Sequence, residues 1–146
     1  EDVTARVLVF VQWNDLLLKL EAAFDHYKVP CVVLRGGVAD RQRTIDAFAE
    51  GEHRYVLLMA LEHDDSGLNL TCSNHVFLVH PMVAEREMSR ACERQALGRV
   101  RRRGQLKDVH LYRFMAAGTI EEERAQEQHM ILFQKDSVKP EVLWMP

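Results

Sequence analysis

The stretch "QALGRVRRRGQ", residues 95 to 105, sets four arginines in five positions between Gly98 and Gly104. Guanidinium groups packed this densely have three plausible uses: gripping a nucleic-acid backbone, neutralising charge on a transferring phosphate, or ending a helix in solvent. The first two need an oxyanion partner. The formal net charge of the chain is −3, so the cluster is a local patch on a mildly acidic background. Binding to an anion responds to such a patch rather than to the total.

A phosphate cradle is missing from the same sequence. There is no G-x-x-x-x-G-K-[ST] loop, no G-x-G-x-x-G and no G-x-S-x-G, so no loop of backbone amides is written to wrap a triphosphate or to present a serine nucleophile. The segment after the first apolar run, "QWND", is too short and bulky to hold a pyrophosphate. Phosphoryl transfer is accelerated mainly by positive charge placed against the γ-phosphate, and an arginine can be supplied to a nucleotide held elsewhere. Arginines without a cradle therefore suit one half of a composite ATPase.

Other chemistry is poorly represented. Cys31, Cys72 and Cys92 are odd in number and form no C-x-x-C pair, which argues against a disulfide framework or a cysteine-rich zinc site and for a reducing compartment. The seven histidines lack metal-ligand spacing, and no metal site is expected. No apolar run reaches the roughly 20 residues that span a bilayer, and no basic-then-apolar leader opens the chain.

The elements that must position the arginines follow from hydrophobic pattern. At 146 residues with 47% hydrophobic content the chain is one globular domain's worth. "ARVLVFVQW" is apolar on both faces, as a strand inside a parallel sheet is. "NDLLLKLEAAFDHYK" has helical spacing of Leu16, Leu20, Ala23, Phe24 and Tyr27, with Asn14 expected as its cap. "VPCVVLRGG" is a second strand. "ADRQRTIDAFAEG" is a second helix with Asp40 expected at the N-cap, Ile45 and Phe48 inward and Gly51 as the stop. "RYVLLMAL" and "HVFLVHP" are further strands around the polar loop "EHDDSGLNLTCSN". "AEREMSRACERQAL" is a helix expected to turn Met88, Ala91, Cys92 and Gln95 inward, and "DVHLYRFM" a half-alternating strand near an edge. A last helix, "GTIEEERAQEQHMILFQK", opens on an expected Thr119–Glu122 capping box. The domain is read as residues 1–135, and 136–146 as a less regular tail that docks or frays. Strand–helix alternation of this kind predicts an α/β fold, a parallel β-sheet flanked by helices on both faces. The abrupt start on a strand suggests a piece of a longer protein.

Five ordered stretches resemble motifs of superfamily-two helicases of the Swi/Snf type. "QALGRVRRRGQ" is similar to motif VI, Q-x-x-G-R-x-x-R, with the trailing G-Q of that family, and "VLVFVQW" (7 to 13) is similar to motif IV. "LRGGVADRQRTIDAF" (34 to 48) resembles the segment that follows motif IV, "SGLNLTCSNHVFLVHP" (66 to 81) motif V with the next strand, and "VHLYRFMAAGTIEEE" (109 to 123) the stretch ending G-T-I-E-E. The resemblance implies the C-terminal RecA-like lobe of a double-stranded DNA translocase of the chromatin-remodeller type. It implies ATP and Mg2+ held mainly by an N-terminal RecA-like lobe, with no cofactor on this fragment alone.

Residue by residue, the resemblance puts Arg99 and Arg102 in catalysis, with Arg102 as the arginine finger. It puts Gly67, Asn69 and Gln95 in the ATP cleft, and Gln12, Trp13, Gly36, Gly37 and Arg41 on segments facing a DNA backbone. It further implies double-stranded DNA and chromatin or ubiquitin-pathway proteins as partners, no membrane, and a nuclear location. The sequence departs from the family at Arg35, where an acid is usual, and in motif V, where Glu62, Asp64 and Asp65 enter. "VAEREMSRACER" stands in place of a tryptophan-rich W-N-P stretch. The altered motif V resembles a branch that includes RING-finger ubiquitin ligases, and comparable modules occur in some fungal maintenance DNA methyltransferases. Those acids, repelling DNA, favour a second reading: a motor-dead, helicase-derived scaffold or protein-interaction module. A solvated helix end remains the plain account of Arg101 and Arg103, as does a solvated face of Arg86, Arg90 and Arg94. Trp13 reads as packing at a strand end ahead of a base-stacking platform, and His80, before Pro81, as structural.

Overall fold

A computed structural model describes residues 5–51, 55–61, 68–123 and 140–145. The elements run β1 (Val7–Val11), α1 (Asn14–His26), β2 (Cys31–Val33), α2 (Val38–Glu50), β3 (Val56–Ala60), β4 (His75–Leu78), α3 (Arg86–Val100), β5 (His110–Ala116) and β6 (Pro140–Met145). The six strands make one sheet in the order β2-β3-β1-β4-β5-β6, and every pairing is parallel.

β1 lies in the middle of the sheet, which is why it is apolar on both sides. Leu8 and Phe10 point to the face covered by α2 and α3, where they pack with Ile45, Phe48, Leu57, Met59, Val76, Ala96 and Val100. Val9 and Val11 point to the face covered by α1, with Leu17, Leu58 and Ala60. The connection that steps from β1 to β2 crosses on α1's face. Those that step the opposite way, through α2 and α3, cross on the other, as a single handedness of crossover requires. The predicted parallel α/β architecture with helices on both faces is the one observed.

Several local expectations need correction. α1 is capped by Trp13 in extended geometry with no side-chain bond, so Asn14 is the first helical residue and not the cap. α2 is capped by Gly37, which moves Asp40 three residues into the helix, where its carboxylate accepts the Gly37 amide at 3.3 Å. Gly51 does stop α2, and the Arg6 guanidinium closes that end by donating to the carbonyls of Phe48, Ala49 and Gly51.

α3 turns a different face inward than its apolar residues suggest. Met88 is 61% exposed, and Ala91 and Gln95 are exposed too, with Cys92 half-buried. The buried face is Ser89, Glu93, Ala96 and Val100, at spacings of four, three and four. Glu93 decides the matter: its carboxylate accepts Arg113 Nη2 from β5 at 2.7 Å, with side chains 2% and 8% exposed. A period count ranks glutamate as outward-facing, and only its cationic partner makes burial tolerable.

At the end of β5 the Thr119 hydroxyl accepts the Glu121 amide, and the Glu122 carboxylate accepts Gly118 N–H. Each bond of the expected Thr119–Glu122 box is thus displaced by one residue. Most of the last predicted helix lies outside the described residues. The tail was expected to be irregular, yet Pro140–Met145 adds a parallel strand beside β5, with Leu111 opposite Pro140 and Ala116 opposite Met145. Proline is tolerated there because it begins the strand.

Candidate nucleotide and nucleic-acid interface

The residues singled out by sequence fall at two ends of the sheet. β1 separates them, roughly 17 Å for five residues at about 3.3 Å each.

The turn after α3 lies at the amino end. Gln105 organises it: its side-chain NH2 donates to the carbonyls of Ser73 (2.8 Å), Thr71 (3.2 Å) and Val100 (3.4 Å), and its carbonyl accepts Lys107 N–H at 3.0 Å. The Leu70 amide donates to the Arg99 carbonyl at 3.0 Å, and the Ser73 hydroxyl donates to the Arg6 carbonyl at 2.5 Å. The motif V and motif VI segments are therefore tied to each other and to the foot of β1 through backbone groups. Gln105 was visible only as part of a trailing G-Q. Its role could not be read from sequence because its three acceptors are carbonyls, which every residue carries.

The two principal arginines part company. Arg99 is 1% exposed, with its guanidinium 6.0 Å from the Phe10 ring centroid and Nη1 4.0 Å from Met59 Sδ. Arg102 is exposed, and its Nε donates to the Gly98 carbonyl at 3.0 Å. The structure therefore presents Arg102 to solvent and seats Arg99 in the core, against the strands. Arg101, Arg103 and Gln95 are exposed on the same stretch. Asn69 is exposed, with its side-chain carbonyl accepting Thr71 N–H at 3.4 Å. Gly67, with Glu62, Asp64 and Asp65, lies outside the described residues.

At the carboxyl end, Gln12 and Trp13 close β1. The Gln12 side chain pairs both ways with Val83, donating to its carbonyl at 3.0 Å and accepting its amide at 2.7 Å. Trp13 is 40% exposed and lies 5.0 Å from the His80 ring, with the planes 6° apart. Gly36 and Gly37 stand between β2 and α2. Gly36 has φ +90°, and a Cβ there would come within 3.0 Å of Asp40, so the position is reserved for glycine on two counts. The Gly37 amide, on a segment expected to face a DNA backbone, is already engaged by Asp40, which also pairs with Arg43 at 2.5 Å. Arg41 is half-buried on the first turn of α2. Arg35, the departure from the family's acid, makes two bonds of 2.9 Å with Glu21 of α1. It thereby fixes the start of this loop to the neighbouring helix.

Nothing in these groups provides a nucleophile. Burial raises the thiols of Cys31 and Cys72 above their ordinary values, helped at Cys31 by Glu21 and Asp25, so neither is a ready thiolate. Among the described residues no group of three or more His, Cys, Asp and Glu is arranged to hold a metal ion. No helix among them is long and apolar enough to cross a membrane.

Residues 1–104 match the family described as helicase conserved C-terminal domain. A DNA (cytosine-5-)-methyltransferase, DMT5, of Cryptococcus neoformans var. grubii is 40% identical over 120 residues, 80% of this chain and 5% of that protein. The DNA repair protein RAD5 of Yarrowia lipolytica is 33% identical over 132 residues, 88% of this chain and 12% of its own. The DNA repair and recombination protein RAD54 of Saccharomyces cerevisiae is 31% identical over 131 residues, covering 89% and 14%. Among solved structures, the C-terminal part of the Fun30 ATPase domain superposes with a TM-score of 0.75 at 28% identity, over 86% of this chain and 39% of that one. The chain spans less than a sixth of the length of these three relatives.

Proposed function

Because the chain belongs to the helicase conserved C-terminal domain family, in its Swi/Snf-type division, we propose that it is the lobe of a DNA-dependent ATPase that completes, without itself holding, the nucleotide site. ATP and Mg2+ are assigned to an N-terminal RecA-like lobe, since the sequence carries no G-x-x-x-x-G-K-[ST] loop of its own. What this chain contributes is charge. Arg102 is an exposed guanidinium at the end of a helix whose inner face is locked to the sheet by Glu93 and Arg113. That placement carries the proposal. A finger must stand at the surface, yet rise from a base that does not move.

Arg99 takes a supporting part in this account. Its burial against Phe10 and Met59 ties the finger-bearing helix to the strands, and it meets a phosphate only if those side chains move. Gln95 and Asn69 are exposed and serve as rim groups of the cleft. At the other end, Gln12, Trp13, Gly36, Gly37 and Arg41 make the surface for a duplex backbone. Contacts to phosphates rather than to bases make such binding salt-sensitive and weakly sequence-selective. The whole protein is then a nuclear translocase on double-stranded DNA.

The test is made in the parent protein. Arg102→Ala lowers DNA-stimulated ATP turnover by roughly a thousandfold or more while nucleotide binding persists. Unchanged turnover would discard the finger. The scaffold reading draws support from Asp40, whose carboxylate occupies the Gly37 amide. A parent protein in which duplex DNA leaves ATP turnover flat favours the scaffold.

A further inference from the structure

His80 belongs to none of the groups assigned above, yet it sits where three elements meet. Its ring lies against the Trp13 indole, at the start of α1. Nε2 is 3.1 Å from the Gln12 amide nitrogen at the end of β1, and Nδ1 is 2.9 Å from the Pro81 carbonyl oxygen. The partners fix the chemistry. A backbone amide can only donate, so Nε2 must carry the lone pair. A carbonyl can only accept, so Nδ1 must carry the proton. The neutral Nδ1–H tautomer satisfies both bonds, and no other protonation state does.

The same step is bound again by Gln12 and Val83, and by Val79 N–H to the Phe10 carbonyl at 3.2 Å. Segment 80–85 then leads directly into α3, the helix that carries Arg99 near its end and is followed by Arg102. His80 is thus the hinge pin between the step of half-buried Gln12 and exposed Trp13 and the strand end that feeds the arginine helix. Phenylalanine would reproduce its flat face but neither hydrogen bond. Glutamine can place an acceptor near the position of Nε2.

The geometry points to His80 as the positioning residue of the Gln12–Trp13 step: through its Nδ1–H tautomer it sets the angle at which the Trp13 indole is presented at the surface. The ligand so served is a duplex backbone, which rests on the function proposed above. His80 itself touches no ligand. It acts through Trp13 and Gln12.

Two measurements separate this inference from that function. Nitrogen-15 spectra of the imidazole report the tautomer directly, and hydrogen exchange reports the Gln12 amide. A protonated Nδ1 is expected, with slow exchange at Gln12 that His80→Gln preserves and His80→Phe abolishes. A protonated Nε2, or a Gln12 amide equally protected in His80→Phe, overturns the inference. In the parent protein, affinity for a mixed-sequence DNA duplex at fixed salt is expected to fall on the order of fivefold in His80→Phe, which loses both bonds, each of modest net worth, and to recover in His80→Gln. If Trp13→Ala weakens the duplex complex and His80→Phe does not, positioning is refuted. If Trp13→Ala has no effect on it, the DNA-facing assignment of this end fails, and the tautomer and exchange results still judge His80.

Discussion

Both ends of the sheet are held by side chains bonded to backbone, but the bonds are spread differently. At the amino end, the turn after α3 is anchored by side chains that reach backbone carbonyls: Gln105 to Thr71, Ser73 and Val100, and Ser73 to Arg6. At the carboxyl end, the Gln12–Trp13 step is anchored by side chains that reach one another's local backbone, Gln12 to Val83 and His80 to Gln12 and Pro81. The first arrangement welds a turn to the core, as suits a charge that must not drift. The second pins two loops together at single points, as suits a surface that must stay level while remaining open to a large ligand. α3 joins them, beginning just after His80 and Val83 and ending at Gln105's turn.

If the amino end is the rigid one, breaking its base should cost most. Glu93→Ala strands the Arg113 charge in the core and should destabilise by about 3–5 kcal/mol, measured by urea unfolding. The paired change Glu93→Leu with Arg113→Met should recover most of that loss. Failure to recover would mean that the pair fixes the α3 packing rather than merely tolerating burial. Gln105→Ala should follow, at about 1–3 kcal/mol. Because it frees the turn carrying Arg102, it should also slow ATP turnover in the parent protein. A loss of stability with turnover intact would break the link between a welded turn and the finger.

The glycines sharpen the contrast further. Gly36→Ala meets both a positive φ and the Asp40 side chain 3.0 Å away, so thermal unfolding should report a loss of about 1–2 kcal/mol. Gly98 lies inside α3, where a Cβ would meet nothing within 4 Å. Gly98→Ala should therefore stabilise, by roughly 0.5–1 kcal/mol. Smallest of all is Arg35→Ala. It removes a bidentate but partly solvated pair with Glu21 and should cost no more than about 1 kcal/mol, shrinking as salt is added.

Legibility in the sequence followed the physics of each signal. β1 and β3 were plain because a strand buried on both faces must be apolar throughout, and α2's Ile45 and Phe48 were plain because helical period puts them inward. The face of α3 was misread for an equally definite reason. Its inward side contains Ser89 and Glu93, and its outward side Met88, so hydrophobicity and burial disagree along that helix. The caps lie one to three residues from the polar residues that mark them because backbone conformation sets the helix start: α1 begins after Trp13 with no side-chain cap, and Asp40 satisfies Gly37 from inside α2. The tail's strand was illegible because β6 has a parallel neighbour, β5, to pair with, and pairing is a property of two segments.

The order of motifs, and with it the family and the parallel α/β sheet, was written in the sequence, because local pattern and spacing survive in one dimension. Only the tertiary structure decided which arginine is presented and which is buried: Arg99 and Arg102 are three residues apart and chemically alike, yet Arg99 lies on the sheet-facing side of α3 while Arg102 follows the helix's end at Val100. It likewise decided the proton's place on His80, since a tautomer is chosen by partners brought together from distant parts of the chain.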